Sequence, residues 1–476
     1  MGVDGAIVQT ARLVRSRNHQ GGSILSEEHT MSAAEPEEVI PHNIHMAETT
    51  TQFDLAVVVN AICQQTIEPT RDRRIPKRIS NKLRPLLKGK ERMDYEGHDI
   101  YPEILIDILR LQEIVQLTPP LVPDGKDAYE LGEKLAWWQG LDMVQQTCNL
   151  ISVWLTQRGW PDLAGINFDP WDFYGWNYAT GRDKLLESLR GYTPERWYPI
   201  SSLLDDLWEK HPSAIRPQTV QKYNMTYGET RHQNWLDHEG EIYIGMLFST
   251  LNELGIVSIG YQEEDDDEPR NPDTFQLSAF GATILSLIQK PATSYVPPER
   301  SHRTLIVQPN FEILLLEPDF PTLYKVLPFT LAQQIGVASR LILTRASVLR
   351  AVDRGAKINV ILATLEESSQ KELPQNVVYT LKDWVKDYKE VRISQVYLLE
   401  VDSAEIADAI CNASKLHKQL SNQELRRVAP CLIAVDSSIN LLPLKRLLEK
   451  ENIAVRINES LLQRLNTRGK TYGTSR

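Results

Sequence analysis

The stretch from Leu305 to Val401 alternates between two hydrophobic periods, and this alternation constrains the fold more than any other feature of the chain. Val307, Pro309 and Phe311 alternate with polar neighbours and run into the apolar Ile313 to Leu316, which predicts one strand that begins half exposed and becomes buried. Thr344 is placed to cap a helix carrying Val348, Leu349 and Val352 on one face, and Gly355 stands where a left-handed C-terminal residue is wanted. After Pro374, which suits a first helical turn, Val377, Val378, Leu381, Trp384 and Val385 recur at helical spacing and end beside the strand-like VRISQVYLLEV. Helices on a small sheet are implied. Further on, CLIAV from Cys431 predicts a buried strand, INLLPLKRLLEK an amphipathic helix, and IAVRI from Ile453 a second strand. A mixed α/β domain over 303–465 is expected, then a flexible tail over 466–476 in which Arg468, Lys470 and Arg476, with Arg464 before them, offer a second, weaker phosphate contact.

Read together, LIVQPNFEILLLEPDF, LTRASVLRAVDRGAKINVILATLEE and LPQNVVYTLKDWVKDYKEVRISQVYLLEV resemble the small domain attached to XPB-type helicases. That domain also occurs in bacterial and archaeal helicase-associated proteins with no motor of their own. The resemblance covers roughly the last 180 residues well and the earlier part loosely. Its motifs are packing patterns, so they point to a family and not to a reaction. The resemblance implies a role beside an XPB-like helicase in DNA repair or nucleic-acid remodelling, with the α/β domain helping to recognise distorted DNA or docking onto the motor.

Upstream, a layout repeats. ILRLQEIVQLT, the loop PPLVPDGKDA and YELGEKLAWW are echoed by LNELGIVSIG, the loop YQEEDDDEPRNPD and TFQLSAFGATIL, so that Ile114, Val115 and Leu117 correspond to Ile256, Val257 and Ile259. Each copy reads as a helix, a strand, a loop and a second strand running into a helix, the tail of a winged helix with its wing. The expected fold is therefore α+β and multidomain. It comprises an unstructured tail over 1–50, winged-helix-like modules over 51–140 and 196–292, a helical Trp-rich connector over 141–195, and the mixed α/β domain. Met31 and Met46 are as available as Met1 for a start.

The chain is acidic, with net charge -11, yet Arg71, Arg73, Arg74, Lys77, Arg78, Lys82, Arg84, Lys88, Lys90 and Arg92 face only Asp72 and Glu91 between Arg71 and Arg92. Such a concentration attracts phosphates and gives salt-dependent, largely sequence-independent affinity. The first eight are the candidate nucleic-acid contacts, with the backbone of DNA as partner; a solvated basic helix pairing with acidic surface is the bland alternative. In a winged helix, Ile100 to Gln112 would take the recognition position, but Asp99, Glu103, Asp107 and Glu113 there outnumber Arg110. Contact is thus expected with phosphates and not with base edges. A winged-helix transcriptional regulator, or a protein-interaction scaffold that binds no nucleic acid, are the other readings.

Catalysis is not expected. The only P-loop-like residues, Gly469, Lys470 and Thr471, have Arg464 where the first glycine belongs. No GxSxG, HExxH or PCxxC pattern occurs, and Cys63, Cys148, Cys411 and Cys431 lie too far apart in sequence for a zinc ribbon. No metal or cofactor is expected. Glu263 to Glu268 (EEDDDE) reads as a solvated loop, and His232 and His238 near Asp237 and Glu239 read as an exposed turn between helices. Nine of the ten tryptophans fall between Trp137 and Trp235, most in apolar helical contexts that predict core packing, with Trp171 to Tyr178 as the one patch of exposed character. No run of about 18 apolar residues is present to span a bilayer, and cytoplasm is the expected address.

Overall fold

The computed structural model describes residues 38–93, 97–120, 125–157, 176–218, 230–262, 272–288, 295–298, 302–386, 388, 396–412, 425–436, 441–450 and 453–458. It is a mixed α/β structure in two units, Met1–Tyr388 and Lys389–Arg476. In the first unit a short strand β1 (Asn43–His45) leads into helix α1 (Thr50–Gln64), whose sequence TTQFDLAVVVNAICQ has apolar residues on every side. A helix of that kind must be jacketed by protein, and each residue from Thr50 to Cys63 is buried. There follow α2 (Lys77–Leu83), α3 (Tyr101–Leu111) and a hairpin of β2 (Val115–Thr118) and β3 (Ala128–Leu131). Helices α4 (Leu135–Trp138), α5 (Met143–Thr156) and α6 (Tyr178–Leu189) come next, with α5 opened by a capping box of Asp142 and Gln145.

The remainder of the middle region runs through β4 (Trp197–Pro199), α7 (Ile200–Lys210), α8 (Arg231–Trp235), α9 (Glu241–Met246), β5 (Val257–Tyr261), β6 (Thr274–Leu277) and α10 (Ala279–Leu287). The repeat read in the sequence has a backbone counterpart. After α3, the Ile114 amide donates to Leu109 O (2.9 Å) and Glu113 is left-handed at φ 58°; before β5, the Ile256 amide donates to Leu251 O (2.8 Å) and Gly255 is left-handed at φ 81°. Both are helix ends closed by a left-handed residue. The next strand then starts in the same register, Val115 opposite Leu131 and Val257 opposite Leu277.

The two hairpins differ in their surroundings. Strands β2 and β3 pair with each other, with one added bridge from Ile67 to Tyr129, whereas β5 and β6 are the central strands of a sheet ordered β1-β5-β6-β4. Residues 38–50, assigned to an unstructured tail by sequence, are therefore structured at their distal end: Asn43 pairs with Tyr261 and His45 with Ile259. A strand of three residues whose partner lies more than two hundred positions away leaves no local pattern to read. The earlier part of that tail lies outside the described residues.

The first half of the predicted α/β domain is a sheet ordered β7-β8-β10-β9, formed by β7 (Leu305–Val307), β8 (Glu312–Leu315), β9 (Leu331–Gln334) and β10 (Ser339–Ile342). It is packed with α11 (Phe320–Val326), α12 (Arg345–Asp353), α13 (Ile358–Ser368) and α14 (Gln375–Lys386). The single strand expected from Val307 to Leu316 is instead a hairpin. Phe311 takes φ 71°, its amide donates to Gln308 O (3.0 Å), and its ring stacks on Trp384 at 5.5 Å between centroids. The other details hold: Thr344 Oγ1 accepts from the Ser347 amide (3.0 Å), Gly355 is left-handed at φ 95°, and Val377 and Leu381 of α14 are buried.

This half does not stand apart from the N-terminal helix. Asn60 donates to the carbonyls of Leu327 (2.9 Å) and Thr330 (2.7 Å) and accepts from the Ala332 amide (2.9 Å), while the Arg354 guanidinium donates to Ile62 O (2.7 Å) and Cys63 O at the C-terminal end of α1. A cation there complements the helix dipole. The expected domain 303–465 thus divides at Tyr388, its first part sharing a core with α1.

In the second unit, β11 (Val396–Glu400), α15 (Ala404–Asn412), β12 (Arg426–Ala429), β13 (Leu432–Asp436) and α16 (Leu441–Lys450) give an antiparallel sheet ordered β11-β13-β12. Ala407, Ile410, Leu444 and Leu448 of the helices cover Ile433 and Val435 on one face of it. The segment IAVRI, expected as a strand, joins no ladder among the described residues, although Ile453 and Val455 pack against this core.

The tryptophans mostly fill cores. Trp138, Trp154 and Trp235 are fully buried, whereas Trp137 is 46% exposed. Trp176, placed by sequence in an exposed patch, is only 8% exposed, and Trp171 lies outside the described residues.

Candidate nucleic-acid interface

The basic segment from Arg71 to Arg92 is not one helix. Thr70 to Arg74 form a turn, in which the Arg73 amide donates to Thr70 O (2.9 Å) and Arg73 takes φ 61°. Pro76 in extended conformation then starts α2, a 3-10 turn covers Arg84–Leu86, and the chain runs on through a bend at Gly89 to Arg92 without regular secondary structure. Ile79, Leu83 and Leu86 turn this segment toward the core. The opposite side of α2 carries Lys77, Arg78, Asn81 and Lys82, at spacings that put them on one helix face. Arg71, Arg73 and Lys88 are exposed as well. Lys77, Arg78 and Lys82 make no ion pair among the described residues. Arg74 is half-buried, its guanidinium 3.0 Å from His98 Nδ1.

The remaining cations face inward and hold the segment in place. Arg84 Nη2 donates to Gly89 O (2.6 Å) and its Nε lies 3.3 Å from Asp99. Arg92 is buried against Glu253 at 2.6 Å, with Tyr101 beneath its guanidinium. Lys90 Nζ lies 3.6 Å from the centre of the Phe248 ring, and burial lowers its pKa to about 8. Of the eight sequence candidates, Arg71, Arg73, Lys77, Arg78, Lys82 and Lys88 are presented to solvent, while Arg84 is engaged within the fold and Arg74 partly so.

The anchor beneath them went unnoticed in the sequence. Asp54 of α1 accepts from the amides of Lys88 (2.9 Å) and Gly89 (2.8 Å) and from the Tyr101 hydroxyl (2.9 Å). Its sequence signal is a lone carboxylate inside the apolar run FDLAVVV, where a charge survives burial only with partners. Burial raises its pKa to about 6, against the amide and hydroxyl donors that lower it. The folded state therefore binds this proton more tightly than the unfolded chain does. The associated stabilisation is full below the ordinary carboxylate range and disappears as pH rises through about 6. Asp54→Ala, which leaves three donors unpaired, those of Gly89 and Tyr101 buried, is expected to cost about 3 kcal/mol in urea unfolding at pH 7. Asp54→Asn keeps an acceptor and loses the pH 4 to 6 slope relative to wild type; an unchanged slope would remove Asp54 as its source.

Helix α3 presents the acidic face read from its sequence. Asp107 and Glu113 are exposed and paired with Arg110 and Lys134, each at 2.9 Å. The Glu103 carboxylate accepts from the Ile75 amide (2.9 Å), and burial raises its pKa. That bond fixes the entry to α2 against α3.

Other candidates resolve into structure. His232, Asp237, His238 and Glu239 lie in a helix and not in a turn, because a wide π turn, Leu236–Gly240, joins α8 to α9 in one helical run, which a second, Leu247–Leu251, extends. Glu239 is buried there, paired with Arg216 at 2.5 Å. No group of three His, Cys, Asp or Glu side chains suited to a metal occurs among the described residues. The acidic stretch 263–268 and the tail 466–476 fall outside them. No described helix is long and apolar enough to cross a membrane.

No curated protein matches the chain. Residues 305–427 match a protein family described as the helicase conserved C-terminal domain, a span that runs from β7 into β12. The match ties this part of the chain to helicases and leaves the basic face of α2 outside it.

Proposed function

We propose that this protein is a non-enzymatic, helicase-associated accessory factor that binds the nucleic-acid backbone through α2 and the turn before it, and acts beside a separate XPB-like motor in DNA repair or remodelling. The observation that carries the reading is the division of the basic segment: its inward cations are spent on Asp99, Glu253 and Gly89, while Lys77, Arg78 and Lys82 are displayed on one face with Arg71, Arg73 and Lys88 nearby. A surface that has already met its internal pairing needs and still shows several cations attracts phosphates. The order α1, α2, α3 and hairpin, with a bridge from Ile67, supports a winged helix for this module, and the shared helix closure supports a second. Because α3 is acidic where a winged helix would enter the groove, contacts fall on phosphates, which makes the transcriptional-regulator reading the weaker one.

The test is a salt series on the full chain with a fluorescent duplex, a fork and a single strand. Log affinity is expected to fall linearly with log salt, with a slope of about -4.5 to -5.4 on duplex if five or six phosphates are met. Fork preference is expected of a helicase accessory. Absence of binding at low salt would remove the nucleic-acid role and favour a scaffold.

A further inference from the structure

The second unit has a sheet with two unlike faces. Tyr397, Leu399 and Val401 point with Ile433 and Val435 toward α15 and α16, and Arg427 on that side meets Asp408 of α15. The alternation of strand residues sends Val396, Leu398 and Glu400 of β11, Leu432, Ala434 and Asp436 of β13, and Arg426 of β12 to the other face, with Asp436 opposite Val396 at the end away from Glu400. Leu398 and Arg426 both sit opposite Ala434, and Glu400 sits opposite Leu432. On this face Leu398 is 61% exposed and Val396 41% exposed. In the bulge of β12, Val428 is 50% exposed.

We propose that this face is the interface through which two copies of the chain associate. The argument for a second copy lies in the placement of charge. An aliphatic centre of Leu398, Leu432 and Ala434 is flanked by an acid on one edge strand, Glu400, and a base on the other, Arg426, and neither makes an ion pair among the described residues. Within one chain the two are separated by β13, more than about 10 Å. A two-fold axis lying between two stacked copies of the face, along the perpendicular bisector of these residues, brings Glu400 of each copy over Arg426 of the other and lays the aliphatic centres together. A patch satisfied by its own rotated image is what a closed dimer requires, and sheets packed face to face bury such alternate residues. A partner of single-sign charge would leave one edge opposed by like charge.

The test is sedimentation of the full chain over a concentration series. Wild type is expected to reach twice the chain mass, and Leu398→Asp to weaken association at least about 10-fold by burying a carboxylate at the centre of the contact. Arg426→Glu or Glu400→Arg alone sets like charges face to face and is expected to weaken it as well, while the two together restore it. Restoration distinguishes a facing pair from damage to the fold, since a misfolded unit would not recover. A chain that remains monomeric throughout overturns the proposal, as does a dimer indifferent to Leu398→Asp or a double exchange that fails to recover. These outcomes are independent of nucleic-acid binding by α2.

Discussion

A chain carrying Lys77→Glu, Arg78→Glu and Lys82→Glu is expected to bind duplex DNA on the order of 100-fold more weakly than wild type near physiological salt, with a salt slope shallower by about 2.7 if each residue meets one phosphate. The loss should be uniform across sequences, because cations on a helix face outside the groove read no base edge. The substitutions should leave the fold intact. All three side chains are exposed and unpaired among the described residues, so each should change stability by less than about 0.5 kcal/mol. Arg84→Glu provides the contrast. It sets a carboxylate against Asp99 and removes the donor to Gly89 O, so it should lower the melting temperature as well as binding. Binding by the triple variant equal to that of wild type would take α2 out of the interface.

The largest single loss of stability is expected at Glu239. Arg216 donates from Nε to Glu239 Oε1 (2.9 Å) and from Nη2 to Oε2 (2.5 Å) and to Asn234 Oδ1 (2.9 Å), with the Trp176 ring 5.4 Å from its guanidinium carbon. Both charged side chains are essentially inaccessible to water. Glu239→Ala strands a guanidinium in that setting, for which about 3 to 5 kcal/mol is the expected cost in chemical denaturation. Replacing both partners, Arg216→Met with Glu239→Leu, removes the charges together and should recover most of it. A double variant as unstable as the single one would show that Arg216 is needed for packing and not only for its charge.

Elements with a punctuated local pattern were legible in the sequence. The helix from Arg345 to Asp353 has its Thr344 cap and Gly355 stop, and the amphipathic α14 follows Pro374, where the local rule and the final structure agree. The repeated helix end was readable too, because Ile114 and Val115 match Ile256 and Val257 at one offset, and the left-handed Glu113 and Gly255 precede these strand starts in the structure. What escaped reading depends on distant partners. Nothing near Asn43 announces Tyr261, and Phe311 occupies a left-handed position usually taken by glycine because a ring partner in Trp384 is available across the fold. For the candidate interface, residue types identified the basic segment but not its orientation. Whether an arginine looks in or out was decided by Asp99 and Glu253, one of them more than 150 positions away.

The polar clasp around Asn60 has a consequence for how the chain is made. Asn60 and its acceptor Leu327 are 267 positions apart. At about 5 to 20 residues per second, roughly 13 to 53 seconds pass between the synthesis of one and of the other. Throughout that interval α1 has left the ribosome without a large part of the jacket that buries it in the finished protein. The nascent chain is therefore a natural client for holding chaperones, and synonymous codons that slow translation between α10 and β9 should lower the soluble yield without altering the folded product.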